Sequence, residues 1–193
     1  RFRDVLTRRL DDIQELSKDL LEVGTTRWEA LFNPQRLALG EVVAEAILEL
    51  EKLWIGRDLE LLTDIPADLP DVFADQRRMR QVLLNLLENA FRYSRSGGAI
   101  GLHCQCTGRL ELSIWDSGPA VPLEEREQIF AKGVRGSSGA ALPGSGLGLA
   151  LARDLARSLG GELELVVPAS NLDPQLPSAG NAFRLSLPLS AAS

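Results

Sequence analysis

Three short segments of this chain carry polar groups whose types and spacing point to chemistry. The first is Asn85-Leu86-Leu87-Glu88-Asn89-Ala90-Phe91-Arg92-Tyr93-Ser94. On a helix, Asn85, Asn89 and Arg92 fall on one face at spacings of four and three. Leu83, Leu84, Leu86 and Leu87 supply the apolar face beside them. Two amides and a guanidinium next to a greasy stripe are costly to bury without partners. A metal ion and phosphate oxygens would satisfy them, because amide oxygens suit Mg²⁺, which prefers hard oxygen ligands. Taken alone, the segment also fits a helix whose polar face is simply hydrated.

The second segment is Ile114-Trp115-Asp116-Ser117-Gly118-Pro119-Ala120. A strand ends in an acid and is followed by a Gly-Pro turn. A carboxylate there can accept a hydrogen bond from an exocyclic amine such as that of adenine, and Gly118 lets backbone approach a flat ring. An ordinary Asx-type turn is the alternative. The third segment, Pro143-Gly144-Ser145-Gly146-Leu147-Gly148-Leu149, leads glycines into a strong helical pattern. Exposed amides at a helix start, aided by the helix dipole, make a phosphate cradle. It is neither a P-loop, which needs Gly-Lys-Ser/Thr, nor a dinucleotide fingerprint, which follows a strand.

The elements that must hold these residues can be read from hydrophobic period and breakers. A strand over 36–39, a helix over 40–55 and a strand over 58–65 are predicted, then a short strand at 72–74 and a long helix from Asp75 to about Tyr93. Strands over 99–106 and 109–116 form a hairpin around Thr107-Gly108. A short helix near 123–131, a helix over 147–159 and strands over 162–167 and 182–187 follow, with a loose loop at 168–181. The irregular order predicts an α/β fold with a mixed sheet and helices on one face. Residues 2–23 read as an amphipathic helix with Leu6, Ile13 and Leu20 in heptad register, a stripe that suits a coiled coil or bundle. Gly24 ends it.

Bulk properties narrow the function. A net charge of −6 argues against nucleic-acid binding. No apolar run approaches the ~20 residues of a membrane span. The chain opens at Arg1 without Met and is expected to be a piece of a longer protein with no direct membrane contact. Cys104 and Cys106 suit one face of a strand better than a disulfide framework, so a reducing, cytoplasmic setting is expected. The single histidine, His103, sits among them. Alternate strand residues point to opposite faces, so a metal site there is disfavoured.

Together and in this order, the three segments resemble the N, G1 and G2 boxes of the GHKL ATPase and kinase superfamily, and especially its histidine-kinase branch. The N box of that branch reads Asn-Leu-Leu-x-Asn-Ala-x-Lys-Tyr-Ser/Thr, matched by residues 85–94 with Arg92 for Lys. Gln128-Ile129-Phe130 resembles the F box, and the run from Phe73-Ala74-Asp75 to Leu83 also fits. The likeness covers about residues 35–190. It implies a two-layer α/β sandwich of the GHKL (Bergerat) type as the catalytic domain, a linker at 25–34, and a partial dimerisation helix at 1–24.

The resemblance also implies roles. Asn89 would hold Mg²⁺ with help from Asn85, and Arg92 would contact phosphate. Asp116 and Gly118 would receive the adenine of ATP, and Tyr93 would line its pocket. Gly144, Gly146, Leu147 and Gly148 would present the phosphate cradle. Residues 131–145 would form a mobile lid, with Lys132 and Arg135 as its cations. Hydrolytic relatives place a Glu where Asn85 stands, so transfer to a protein is expected over hydrolysis. The acceptor histidine is expected upstream of Arg1, in a homodimer that passes phosphate to a response regulator. His103 is read as structural, and the chain is not expected to phosphorylate itself. The usual second glycine of the G1 pattern is Ala120 here. That leaves open a nucleotide-gated interaction module, and a GHKL-type ATPase with an unusual base is the third reading. Residues 22–62, with Glu22-Val23-Gly24 and Leu31-Phe32-Asn33-Pro34, and the run Phe73 to Val82 further resemble the circadian-clock output kinases of cyanobacteria.

Overall fold

The computed structural model describes residues 32–54, 58–137, 144–174, 176 and 179–189. The expected helix at 2–23 and the boundary at Gly24 lie outside these residues. So do lid residues 138–143.

The fold is organised around one helix. Strand β1 (Pro34–Leu37) runs antiparallel to β3 (Val72–Asp75), and helix α2 (Gln76–Tyr93) starts where β3 stops. Asp75 makes the transition. Its carboxylate accepts the Arg78 amide at 3.1 Å as a helix N-cap. The other carboxylate oxygen accepts the Asn33 amide at 2.9 Å, which ties the incoming chain to the same point. Leucines and small residues then bury one side of α2, including Val82, Leu83, Leu86, Leu87 and Ala90.

That side rests on a five-stranded sheet built from β2 (Leu59–Asp64), β4 (Gly98–Cys106), β5 (Leu110–Asp116), β6 (Glu162–Val166) and β7 (Asn181–Leu187). The order is β2-β4-β5-β7-β6. Only the β2–β4 pair is parallel, so the sheet is mixed. Helices α1 (Leu39–Trp54) and α3 (Gly148–Ser158) join α2 over the same core as Ile100, Leu102, Ile114, Phe183 and Leu185. The helices therefore cover one face, as the pattern implied. Strand β1 falls two residues earlier than predicted because Leu39 and Leu37 both turn inward, Leu39 already as the first residue of α1.

Two loops differ from expectation. The short helix predicted near 123–131 is a pair of 3₁₀ turns, Leu123–Glu125 and Gln128–Phe130. The second buries Ile129 and Phe130. Phe130 meets Phe183 edge-on at 6.2 Å, and the Arg153 guanidinium lies 4.4 Å from the Phe130 ring centroid. In the segment at 168–181, expected to be loose, the described residues Ala169, Leu172 and Leu176 lie across the outer face of the sheet. The cause is Trp115, which points away from the helices and needs cover. Ala169, Leu172 and Leu176 pack on Trp115 with Ala99, Val166 and Ala182.

A row of the outer face beyond this cover is polar. Cross-strand register places Asp64, His103, Ser113, Arg184 and Glu164 in one row across all five strands. His103 Nδ1 is 2.9 Å from Asp64, and Arg184 Nε donates to Glu164 at 2.6 Å. Cys104 faces the core instead, and burial, ahead of the neighbouring Cys106 and Asp64, pushes its thiol up to about 12. It is an inert packing group at neutral pH.

Gly101 lies beneath the Trp115 indole, where a Cβ would overlap the ring. Gly101→Ala is expected to cost about 1–3 kcal/mol of folding free energy through overpacking. A lowered denaturant midpoint is the readout. An unchanged midpoint would contradict the seating of Trp115.

Candidate functional site

One edge of α2 carries the predicted residues in a line. Asn85, Asn89, Arg92 and Tyr93 are all partly buried, unlike the leucines between them, which are fully inside. Asn85 Oδ1 accepts a hydrogen bond from Gln81 Nε2 at 3.3 Å. Its Nδ2 is buried with no partner. A buried polar atom left unpaired costs about 1–3 kcal/mol. Rotation of the carboxamide would exchange the two atoms, so the same position can offer either an N–H or an oxygen.

The start of α3 faces this amide. A Cβ on Gly148 would lie 3.9 Å from Asn85 Oδ1, so the glycine leaves space between the two helices. Leu147 is the N-cap of α3 and supplies no side-chain cap. The first-turn amides of α3 therefore keep unused donors at the positive end of the helix dipole. Unused donors and a buried unpaired amide converge here. This combination fits a phosphate-bearing ligand and its Mg²⁺, with Asn85 and Asn89 as the oxygen donors.

The other end of the line is acidic. Asp116 closes β5 and is 1% exposed. Burial pushes its carboxyl up to about 6, against hydrogen bonds from the Gly118 amide and from Asn181 that pull it down. Gly118 N donates to Oδ1 at 2.8 Å. A Cβ on Gly118 would lie 2.5 Å from the Tyr93 carbonyl oxygen, so the glycine lets the loop cross the end of α2. Ser94, the residue after Tyr93, has a buried hydroxyl without a partner. Among the described residues, the unpaired buried side-chain atoms are thus Asn85 Nδ2 and Ser94 Oγ. They lie nine residues apart, or ~13 Å along α2.

The lid residues divide. Gly146 has φ of +73°, and a Cβ there would lie 2.7 Å from the Val134 carbonyl and 3.2 Å from Arg135 Cγ. Gly133 N donates to the Gly146 carbonyl at 3.1 Å. Arg135 is therefore held beside the glycine turn. Lys132 is not. Its side chain is 64% exposed and pairs with Asp154 on the surface of α3 at 3.5 Å. Gly144 and Leu147 are partly buried at the entrance to α3, and Ala120 is exposed, with its methyl outside the packed core.

Sequence reasoning missed Asn181. It begins β7 directly opposite Asp116 in register. Its Nδ2 donates to Asp116 Oδ1 at 3.1 Å and to the Pro119 carbonyl at 3.0 Å, and its Oδ1 accepts the Val121 amide at 2.8 Å. A signal was present. Asn181, Phe183, Leu185 and Leu187 share the inward face of one strand, and an amide in that series marks a buried polar contact.

Comparison with known proteins follows from this geometry. The family model for "Histidine kinase-, DNA gyrase B-, and HSP90-like ATPase" matches residues 74–191, which include every site residue above. The chain belongs to this family. It is 53% identical over 192 residues to the adaptive-response sensory kinase SasA of Parasynechococcus marenigrum, covering 98% of this chain and 48% of that protein. The chain thus spans about half the length of that relative. The mycobacterial sensor histidine kinase MprB is similar in structure, with a TM-score of 0.67 and 31% identity over 81% of this chain and 97% of MprB's. The histidine kinase ThkA, solved in complex with the response regulator TrrA, superposes with a TM-score of 0.75 at 21% identity, over 98% of this chain and 51% of ThkA's. The Bergerat-type sandwich is therefore the fold of this domain.

The buried Asp116 carries a stability signature. Its folded value lies above that of an unfolded aspartate. Its contribution is fully present below about pH 4 and is lost as pH rises through about 6. The ligand-free protein should therefore gain about 1 kcal/mol or more from this group between about pH 7.5 and about pH 5. Asp116→Asn should remove that gain. Parallel stability profiles for parent and variant in urea melts would refute the assignment.

Proposed function

We propose that this chain is the ATP-binding catalytic unit of a sensor histidine kinase and transfers the γ-phosphoryl group to a histidine outside its own sequence. The observation that carries this reading is the unpaired Asn85 amide facing the uncapped start of α3, with a buried carboxylate at the far end of the same helix edge. In this reading Asn89 and Asn85 hold Mg²⁺, Arg92 and the α3 amides hold phosphate oxygens, and Asp116 accepts the adenine amine. Tyr93 lines the pocket between them. Arg135 belongs to the lid over the phosphates and Gly146 to the cradle beside it, and the Lys132–Asp154 pair on the outer side would have to break before Lys132 could reach them. Bound Mg²⁺ neutralises phosphate charge and orients the terminal group.

Transfer is favoured over hydrolysis by the absence of a general base at position 85. An amide there cannot take a proton from water. His103 is a poor acceptor on geometric grounds, because it lies on the outer face of the sheet and the site lies on the helical face. The remaining parts of the proposal concern the longer protein. The amphipathic segment at 1–24 is read as part of a dimerisation hairpin that carries the acceptor. A response regulator is the onward partner, as the ThkA–TrrA complex suggests by analogy. Similarity to SasA supports the clock-output subtype. A cytoplasmic setting accords with ATP as substrate and two free thiols.

The test is incubation with γ-labelled ATP, Mg²⁺ and a separate helical hairpin bearing the acceptor histidine. Acid-labile label is expected on the hairpin and none on His103. Steady release of inorganic phosphate would replace the kinase reading with a hydrolase. Tight ATP binding with no transfer would favour a nucleotide-gated interaction module. Asn89→Ala is expected to weaken Mg²⁺-dependent ATP binding by roughly tenfold or more. Unchanged affinity would remove the metal assignment.

A further inference from the structure

We propose that Asn181 is the positioning residue for purine discrimination: it aims the Asp116 carboxylate so that Oδ2 faces the incoming base, and it locks the 119–121 loop beside it. The proposal rests on the reading of Asp116 as acceptor of the adenine amine.

The hydrogen bonds around Asn181 leave one orientation for its amide. Nδ2 touches a carboxylate and the Pro119 carbonyl, which only accept, and Oδ1 touches the Val121 N–H, which only donates. A flipped amide would set oxygen against oxygen at two of the three contacts. Both Nδ2 hydrogens and the carbonyl are therefore committed. A serine or threonine hydroxyl has a single hydrogen and could not serve both acceptors.

The effect on Asp116 is asymmetric. Oδ1 takes two donors, Gly118 N at 2.8 Å and Asn181 Nδ2 at 3.1 Å. Oδ2 takes the longer contact of 3.4 Å from the same nitrogen, and the Asn181 backbone amide also supports the carboxyl. In side-chain contacts Oδ1 is thus the more fully engaged oxygen, and Oδ2 keeps more acceptor capacity. Gly180 makes the arrangement possible. Its φ is +92°, and a Cβ there would overlap the Asp116 carbonyl, so only glycine lets Asn181 approach this closely.

The electrostatics support the same role. The causes that set the state of Asp116 are burial, the Gly118 amide and Asn181. Its cross-strand neighbours are Ile100 in β4 and Asn181 in β7. The titratable groups on adjoining elements are Arg92 and Tyr93 at the end of α2, and Arg126, which donates to the Val121 carbonyl at 3.4 Å. None of these is among the causes of the Asp116 shift. Removing the Asn181 donor should therefore make the carboxylate easier to protonate. A protonated carboxyl donates, so it loses preference for the amine of adenine and can donate to the carbonyl of hypoxanthine.

The experiment compares ADP and IDP affinities across pH for the parent chain, Asn181→Ala and Asn181→Asp. The parent is expected to prefer ADP above about pH 6 and to lose that preference below it. In Asn181→Ala the midpoint should move up by about one pH unit, with the preference near neutrality falling several-fold, and Asn181→Asp should move it further. Variants that keep the parent's midpoint overturn the role of Asn181 and leave that of Asp116 standing. A parent with no preference at any pH overturns both. If the variants do not fold, the side-chain amide signal of Asn181 in the labelled parent decides. It should shift with the titration of Asp116 and on binding ADP, and a signal indifferent to both overturns the proposal.

Discussion

A carboxylate withdrawn from water loses hydration worth several kcal/mol unless fixed donors replace it. Asp116 sits at the end of a central strand at 1% exposure, and its replacements are the backbone amides of Gly118 and Asn181 and the Asn181 side-chain amide. Much of the local architecture serves that requirement. The loop after β5 must turn tightly enough for Gly118 to reach back, and it must pass under the end of α2, where only a glycine fits. Strand β7 must begin close enough for Asn181 to reach the same carboxyl. The covering of Trp115 by Ala169, Leu172 and Leu176 holds the adjoining positions of β5 and β7 from the other face of the sheet.

The opposite end of the site obeys a similar logic with a different outcome. At Asp116 the protein supplies the partners. At Asn85 and at the start of α3 it leaves them out. A fold seldom leaves buried donors unsatisfied by accident, and here the deficit coincides with glycines that keep the surrounding space open. In the proposed reading, the end that takes the base is pre-organised and the end that takes phosphate gains its partners from the substrate. This division suits a substrate whose phosphate part departs changed while its base is read unchanged.

The helical face of the fold was legible because its residues follow simple rules. Asp75 before a leucine-rich run announces a capped helix, and Gly146 and Gly148 before Leu149 announce another. The amides of Asn85 and Asn89 stood out as candidates for chemistry because nothing in a packed helix needs them. The 3₁₀ turns at 123–130 were not, since Leu123, Ile129 and Phe130 mimic a helical stripe over too short a span. The 168–181 segment was misread for a different reason. Ala169, Leu172 and Leu176 are held by Trp115, some fifty residues away in sequence, and no local pattern reports a partner on the far side of a sheet. Asn181 was overlooked because its meaning lies in the strand register, which pairs it with Asp116 only once the sheet is assembled.

Helix α2 joins the two ends of the site as a single rigid body, with its buried leucines fixing its roll on the sheet. An inserted or deleted residue between Asn85 and Tyr93 would turn one end relative to the other by about 100°. Either the amides or the leucines would then face the wrong way. The geometry of this stretch thus tolerates the exchange of one side chain for another, while a change of length fits only in the loops on either side.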